Sequence, residues 1–170
     1  MSSELRVDKI IPTGGIPTGG GGGIIQVVES ADFSSQTSTT STTFQDTSLT
    51  ATITPKFNTS KILVLANGDA FVEGTANNVY GEIRLVRGST EIARIDHGYD
   101  AGGSLAARLG LNFSINKLDS PNTTSATTYK IQIRVQRTNY SATIKFPTLH
   151  YGSATEKYVG QRIHLYEVSA

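Results

Sequence analysis

The chain has 170 residues and a formal net charge of +1, from 15 basic and 14 acidic side chains, so it carries no electrostatic footprint for nucleic acid. It contains no cysteine, which excludes disulfides and thiolate metal sites. No apolar run approaches the ~20 residues of a membrane-spanning helix. Met1-Ser2-Ser3-Glu4 lacks the charged-then-apolar layout of a signal peptide, so a soluble protein made in a cytoplasm, with no membrane insertion, is expected. Serine and threonine supply nearly a quarter of the chain, beside 17 glycines and one methionine, a composition that suits strands and turns rather than helices.

The first segment stands apart. Leu5-Arg6-Val7-Asp8-Lys9-Ile10-Ile11 runs into a doubled pentapeptide, Ile11-Pro12-Thr13-Gly14-Gly15 and Ile16-Pro17-Thr18-Gly19-Gly20, and closes with Gly21-Gly22-Gly23. Such a stretch builds no core of its own, because glycine loses the most backbone freedom on ordering and proline removes ladder donors. Leu5, Val7, Ile10, Ile11 and Ile16 are poorly used on a solvated linker. Residues 1–23 are therefore expected to be an extended attachment arm, with a glycine-rich joint, that lies on a surface another protein supplies. The glycine run is not a phosphate loop: Ile24-Ile25 follows it, without the Lys-Ser/Thr of a Walker motif. Nor does a strand precede it and a helix follow, as a dinucleotide fingerprint requires.

Residues 24–170 read as one β domain. Ile24-Ile25-Gln26-Val27-Val28 and Ile62-Leu63-Val64-Leu65-Ala66 are nearly continuous apolar runs, expected for strands covered on both faces or lying at a subunit contact. Ser34 to Thr43 is a low-complexity tract that suits an exposed loop or an edge segment. Leu49, Ala51 and Ile53 alternate with threonines, the pattern of a strand with one buried face. Ile83 to Val86 and Ile92 to Ile95 flank Arg87-Gly88-Ser89-Thr90, a hairpin signal. Leu109, Leu111, Phe113 and Ile115 alternate again. So do Tyr129, Ile131, Ile133 and Val135, then Ile144 and Phe146, then Ile163 and Leu165 against His164 and Tyr166. Turn signals recur at Pro55, Asn67-Gly68, Asn77-Asn78, Gly88, Gly98, Gly102-Gly103, Ser120-Pro121-Asn122 and Gly152. Eight to ten strands at this spacing predict an all-β fold, an antiparallel β-sandwich with jelly-roll-like topology.

Catalytic and metal chemistry find little support. His97, His150 and His164 form no short metal motif, and no cofactor is expected. Asp96-His97-Gly98-Tyr99-Asp100 with Ser104 holds triad residue types, but sequence neighbours rarely have triad geometry, and a solvated or interface loop is the plainer reading. Asp69 and Glu73 show nothing that would raise a carboxyl pKa for glycoside hydrolysis. The chain is expected not to be an enzyme. Tyr99 and Tyr140 lie in turn-rich stretches, where an exposed ring can stack on sugar, so they are candidate glycan contacts.

Several stretches carry a family likeness. Gly23-Ile24-Ile25-Gln26-Val27-Val28, the Ser/Thr tract with Phe33, and Thr43-Phe44-Gln45-Asp46-Thr47 resemble the head of tailed-bacteriophage fibre proteins. The likeness runs on through Leu49 to Pro55 and Thr59 to Leu65, and Glu4 to Ile10 resembles short virion proteins of cyanophage-like particles. It covers about the first 70 residues well and the rest loosely, through the strand layout. The resemblance implies a homotrimer in a virion, with its arm docked in another particle protein. It also implies a short tail fibre or fibre-like adaptor that meets the host surface. The alternatives are a capsid-decorating head fibre and a carbohydrate-binding module for host surface glycan.

Overall fold

In the computed structural model, residues 23–31, 35–75, 78–100, 107–136, 142–148 and 160–169 are described. They form ten strands: β1 Ile24–Glu29, β2 Thr37–Thr39, β3 Gln45–Ile53, β4 Lys61–Gly74, β5 Asn78–Arg87, β6 Thr90–Asp100, β7 Ala107–Asp119, β8 Thr127–Val135, β9 Thr143–Phe146 and β10 Arg162–Val168. All their pairings are antiparallel and no helix occurs among the described residues. The fold is an antiparallel β-sandwich.

The first sheet runs β1-β10-β4-β9-β2, and β7 pairs with the whole opposite edge of β4. Strand β10 takes the first half of β4's near edge, and β9 the second. The second sheet runs β3-β8-β5-β6. Strand β2 is a three-residue edge strand inside the Ser/Thr tract, matching the edge-segment reading.

Alternation explains the packing. Leu49, Ala51 and Ile53 of β3 and Ile131, Ile133 and Val135 of β8 face inward from the second sheet. Ile62, Val64, Leu111, Ile144, Ile163 and Leu165 meet them from the first. Each large side chain removed from water in this way contributes about 1.5–3 kcal/mol. A polar clasp joins the sheets near one end. The Tyr129 hydroxyl of β8 donates to Asp119 Oδ2 of β7 at 2.6 Å, and Arg87 of β5 donates to the same oxygen at 2.6 Å. Burial, with the neighbouring Asp119 carboxylate, pushes the Tyr129 phenol well above its usual range.

Two predicted turns are strand interiors instead. Asn67-Gly68 lies within β4 and Gly98 within β6. Both glycines answer to close packing: a Cβ on Gly68 would stand 2.9 Å from the Phe113 ring, and one on Gly98 would collide with the Tyr80 ring. The Gly88-Ser89 hairpin is as expected, with Gly88 supplying the positive φ, 57°, that its two-residue loop requires. Asp96 to Asp100, read from sequence as a loop, belongs to β6.

Candidate functional site

The two outer faces of the sandwich differ in kind. On the second sheet Glu82 is buried, and its Oε2 accepts from Arg134 Nε at 2.8 Å and Arg94 Nη1 at 3.3 Å. Arg94 and Arg84 both reach Glu91, at 3.1 and 3.0 Å. Arg84 Nε donates to Gln132 Oε1 at 2.7 Å; Gln132 and Lys130 in turn donate to Asp46. Those two donors hold the Asp46 carboxyl below the usual carboxylate range. The guanidinium groups of Arg84 and Arg134 also lie over the Phe44 ring, 3.8 and 4.4 Å from its centroid. This face satisfies its charges internally.

On the first sheet, strand register aligns apolar residues into an outward row. Val27 of β1 pairs with Tyr166 of β10, Tyr166 with Leu63 of β4, and Leu63 with Leu118 of β7. The next row toward the chain ends is Ile24, Val168 and Lys61, and the row on the other side is Glu29, His164, Leu65 and Asn116. Among the described residues the exposed large hydrophobics are Ile24 (62%), Val27 (54%), Phe57 (43%) and Leu118 (49%). All four stand at one end of this sheet.

Phe57 is brought there by Glu167, which is fully buried. The Glu167 carboxylate accepts from Lys56 N at 2.7 Å, Phe57 N at 3.3 Å and Gln26 Nε2 at 2.6 Å, so the turn after β3 is tied to β1. At the same end, Gly23 N donates to Ser169 Oγ and Ser169 N to Gly23 O. The predicted arm therefore joins the body beside the apolar row. Farther along the sheet the outer face turns polar: Lys145 covers the Phe71 ring and pairs with Glu73 at 2.6 Å.

Of the residues singled out from sequence, Leu5, Val7, Ile10, Ile11, Ile16 and Tyr140 lie outside the described residues, as does Ser104. Tyr99 sits opposite Val79 in β6, and only its backbone is described. Strand alternation sends Asp96 and His97 to opposite faces of β6. Asp69 is bonded by Gln161, and among the described residues no group of three His, Cys, Asp or Glu gathers as for a metal. Sequence marks two strands of the apolar row, Ile24 to Val28 and Ile62 to Ala66, as covered on both faces or at a subunit contact, but not Tyr166 or Leu118. Its signals were present: Leu118 breaks the odd-numbered phase of Leu109 to Ile115, and β1 has apolar residues on both faces.

No family model matches the chain, and no curated protein does. Among solved structures it is similar to infectious bursal disease virus, Gx strain, with 17% identity and a TM-score of 0.30 over 85% of this chain and 36% of that one. It is also similar to the VP2 subviral particle of that virus, with 16% identity and a TM-score of 0.29 over 84% of this chain and 40% of that one. The Gt strain gives 15% identity and a TM-score of 0.30 over all of this chain and 43% of that one. This chain thus spans about two-fifths of their length. A likeness at that level bears on neither fold nor function.

Proposed function

We propose that this chain is a structural part of a virus particle, a short tail fibre or fibre-like appendage joined to its particle through residues 1–23. The observation that carries the reading is the gathering of Ile24, Val27, Phe57 and Leu118 at the end of the sandwich where residue 23 enters. A free-standing monomer gains nothing by presenting apolar rings and branched chains in one place, whereas an assembly part uses them to exclude water from a joint. Leaving β2 and β9 aside, the strands nest in pairs, β1 with β10, β3 with β8, β4 with β7 and β5 with β6. We read that nesting as a jelly roll, an architecture used by viral capsid and lectin domains, although architecture alone assigns no role.

The mechanism is physical. Burial of its five aliphatic side chains favours docking of the arm, and the backbone entropy lost on ordering opposes it. Several arms presented by one oligomer therefore bind far more firmly than one. Co-expressed with the other structural proteins of its particle, the full chain is expected to sediment with assembled particles. A chain lacking residues 1–23, with an unchanged circular dichroism spectrum, is expected to remain in the soluble fraction. Normal incorporation of the shortened chain would remove the arm's role.

A further inference from the structure

We infer that the apolar outer face of the first sheet receives a second copy of this chain, the two faces packing about a two-fold axis beside Tyr166. The inference deepens the structural role proposed above. It is read on the isolated protein, so it and the arm's attachment role fail separately.

Four strands about 4.8 Å apart and three rows about 6.7 Å apart give a face of about 400 Å² per copy, with Glu29, His164, Asn116 and Lys61 at its margins and apolar side chains between them. Two such faces bury about 800 Å², short of the ~1,200–2,000 Å² of a stable interface. The pairing is therefore weak and concentration-dependent in free solution, and it strengthens where copies are already held together on a particle.

Glu29 stands one strand and one row from Tyr166, and Lys61 stands one strand and one row away in the opposite direction. Both are exposed. A two-fold axis that exchanges their positions lays each Glu29 carboxylate over the other copy's Lys61 ammonium. The same axis sets Val27 near Val168 and Leu118 near Leu65 of the second copy. An axis along the strands through the same point would instead put Glu29 over Leu65 and Lys61 over Ile24, giving neither charge an opposite across the interface. Glu29 also holds Arg162 at 2.8 Å within its own chain, which fixes the carboxylate on this face. The second sheet offers no comparable surface, because its charged groups are engaged with one another.

Sedimentation equilibrium of the full chain from about 1 µM to 1 mM tests this. The expected mass climbs from one chain toward two. Leu118→Glu and Lys61→Glu each weaken the association about ten-fold or more, with the far-ultraviolet spectrum unchanged because both positions face outward. The paired exchange Glu29→Lys with Lys61→Glu restores it to within about three-fold of the starting protein. A single-chain mass at all concentrations, a plateau at three chains, or a paired exchange as weak as Lys61→Glu alone would each overturn the inference.

Discussion

The outer faces of the two sheets are built from antiparallel strands with the same alternating period, and they use their outward positions in opposite ways. On the second sheet, outward positions carry Glu82, Arg84, Arg94, Lys130, Gln132 and Arg134, and register brings each beside a partner from a neighbouring strand. On the first, outward positions near the chain ends carry Val27, Tyr166, Leu63 and Leu118, which register places side by side. A closed network of charges needs nothing from outside, and its desolvation cost discourages any partner. An apolar row lowers its free energy only when something covers it. The molecule thus has one face whose charges are paired within the sheet and one that leaves apolar side chains exposed.

The charged face is most sensitive at Glu82. Truncation by Glu82→Ala removes the carboxylate shared by Arg134 and Arg94 and leaves two guanidinium groups facing a small void. Because both arginines are partly exposed, the cost is expected at about 2–3 kcal/mol rather than the larger figure for a fully buried pair. Urea unfolding measures it. The matching truncation on the other face, Leu118→Ala, is expected to change stability by no more than ~0.5 kcal/mol, since that side chain is half exposed. Equal losses at the two positions would mean that Leu118 is a core residue and that the open face is not open.

The alternating strands were legible in the sequence because alternation needs only local information. Leu49, Ala51 and Ile53, and Tyr129 through Val135, are buried as their phase required. The misread glycines show where local information ends: Gly68 and Gly98 look like turn residues, but what fixes them is the Phe113 and Tyr80 rings arriving from neighbouring strands. The same holds for the faces. The apolar runs mark Val27 and Leu63 strand by strand, but Val27, Tyr166, Leu63 and Leu118 become one row only through three strand registers. Buried carboxylates were equally opaque, for Glu82 meets Arg134 from 52 positions away and Glu167 meets Lys56 from 111. The arm residues were chosen from composition and lie outside the described structure, as does Tyr140.

The clasp between the sheets sharpens the comparison from the alkaline side. Tyr129 is wholly buried and its phenol pKa is raised, first by burial and then by its bond to Asp119. A raised acid keeps its proton in the folded state while the unfolded chain loses its own near pH 10. The stability linked to Tyr129 is thus complete below about pH 10 and declines as pH rises above it. Thermal unfolding between pH 8 and 11 is expected to show that decline. Tyr129→Phe is expected to remove this contribution and to cost about 1.5–3 kcal/mol at pH 8, the worth of a buried bond to a charged group. A variant with an unaltered alkaline slope would show that other groups set it.

The smallest effect is expected at Asp46, at the margin of the charged face, where the side chain is more than half exposed. Its lowered pKa means that its contribution is present above the ordinary carboxyl range, near pH 4, and is lost as pH falls through the lowered folded value. Exposure and screening keep that contribution below ~0.5 kcal/mol, so Asp46→Asn is expected to be nearly neutral at pH 7 and to flatten the acid limb slightly between pH 5 and 2. Half-molar salt is expected to reduce this difference without erasing it, because it screens the Lys130 pair while leaving intact the Gln132 bond, the larger cause of the lowering. If Asp46→Asn instead cost as much as Glu82→Ala, the charged face would act as one cooperative network. Its edge would then be as firmly held as its centre, and burial of Glu82 alone would no longer explain why that face is closed.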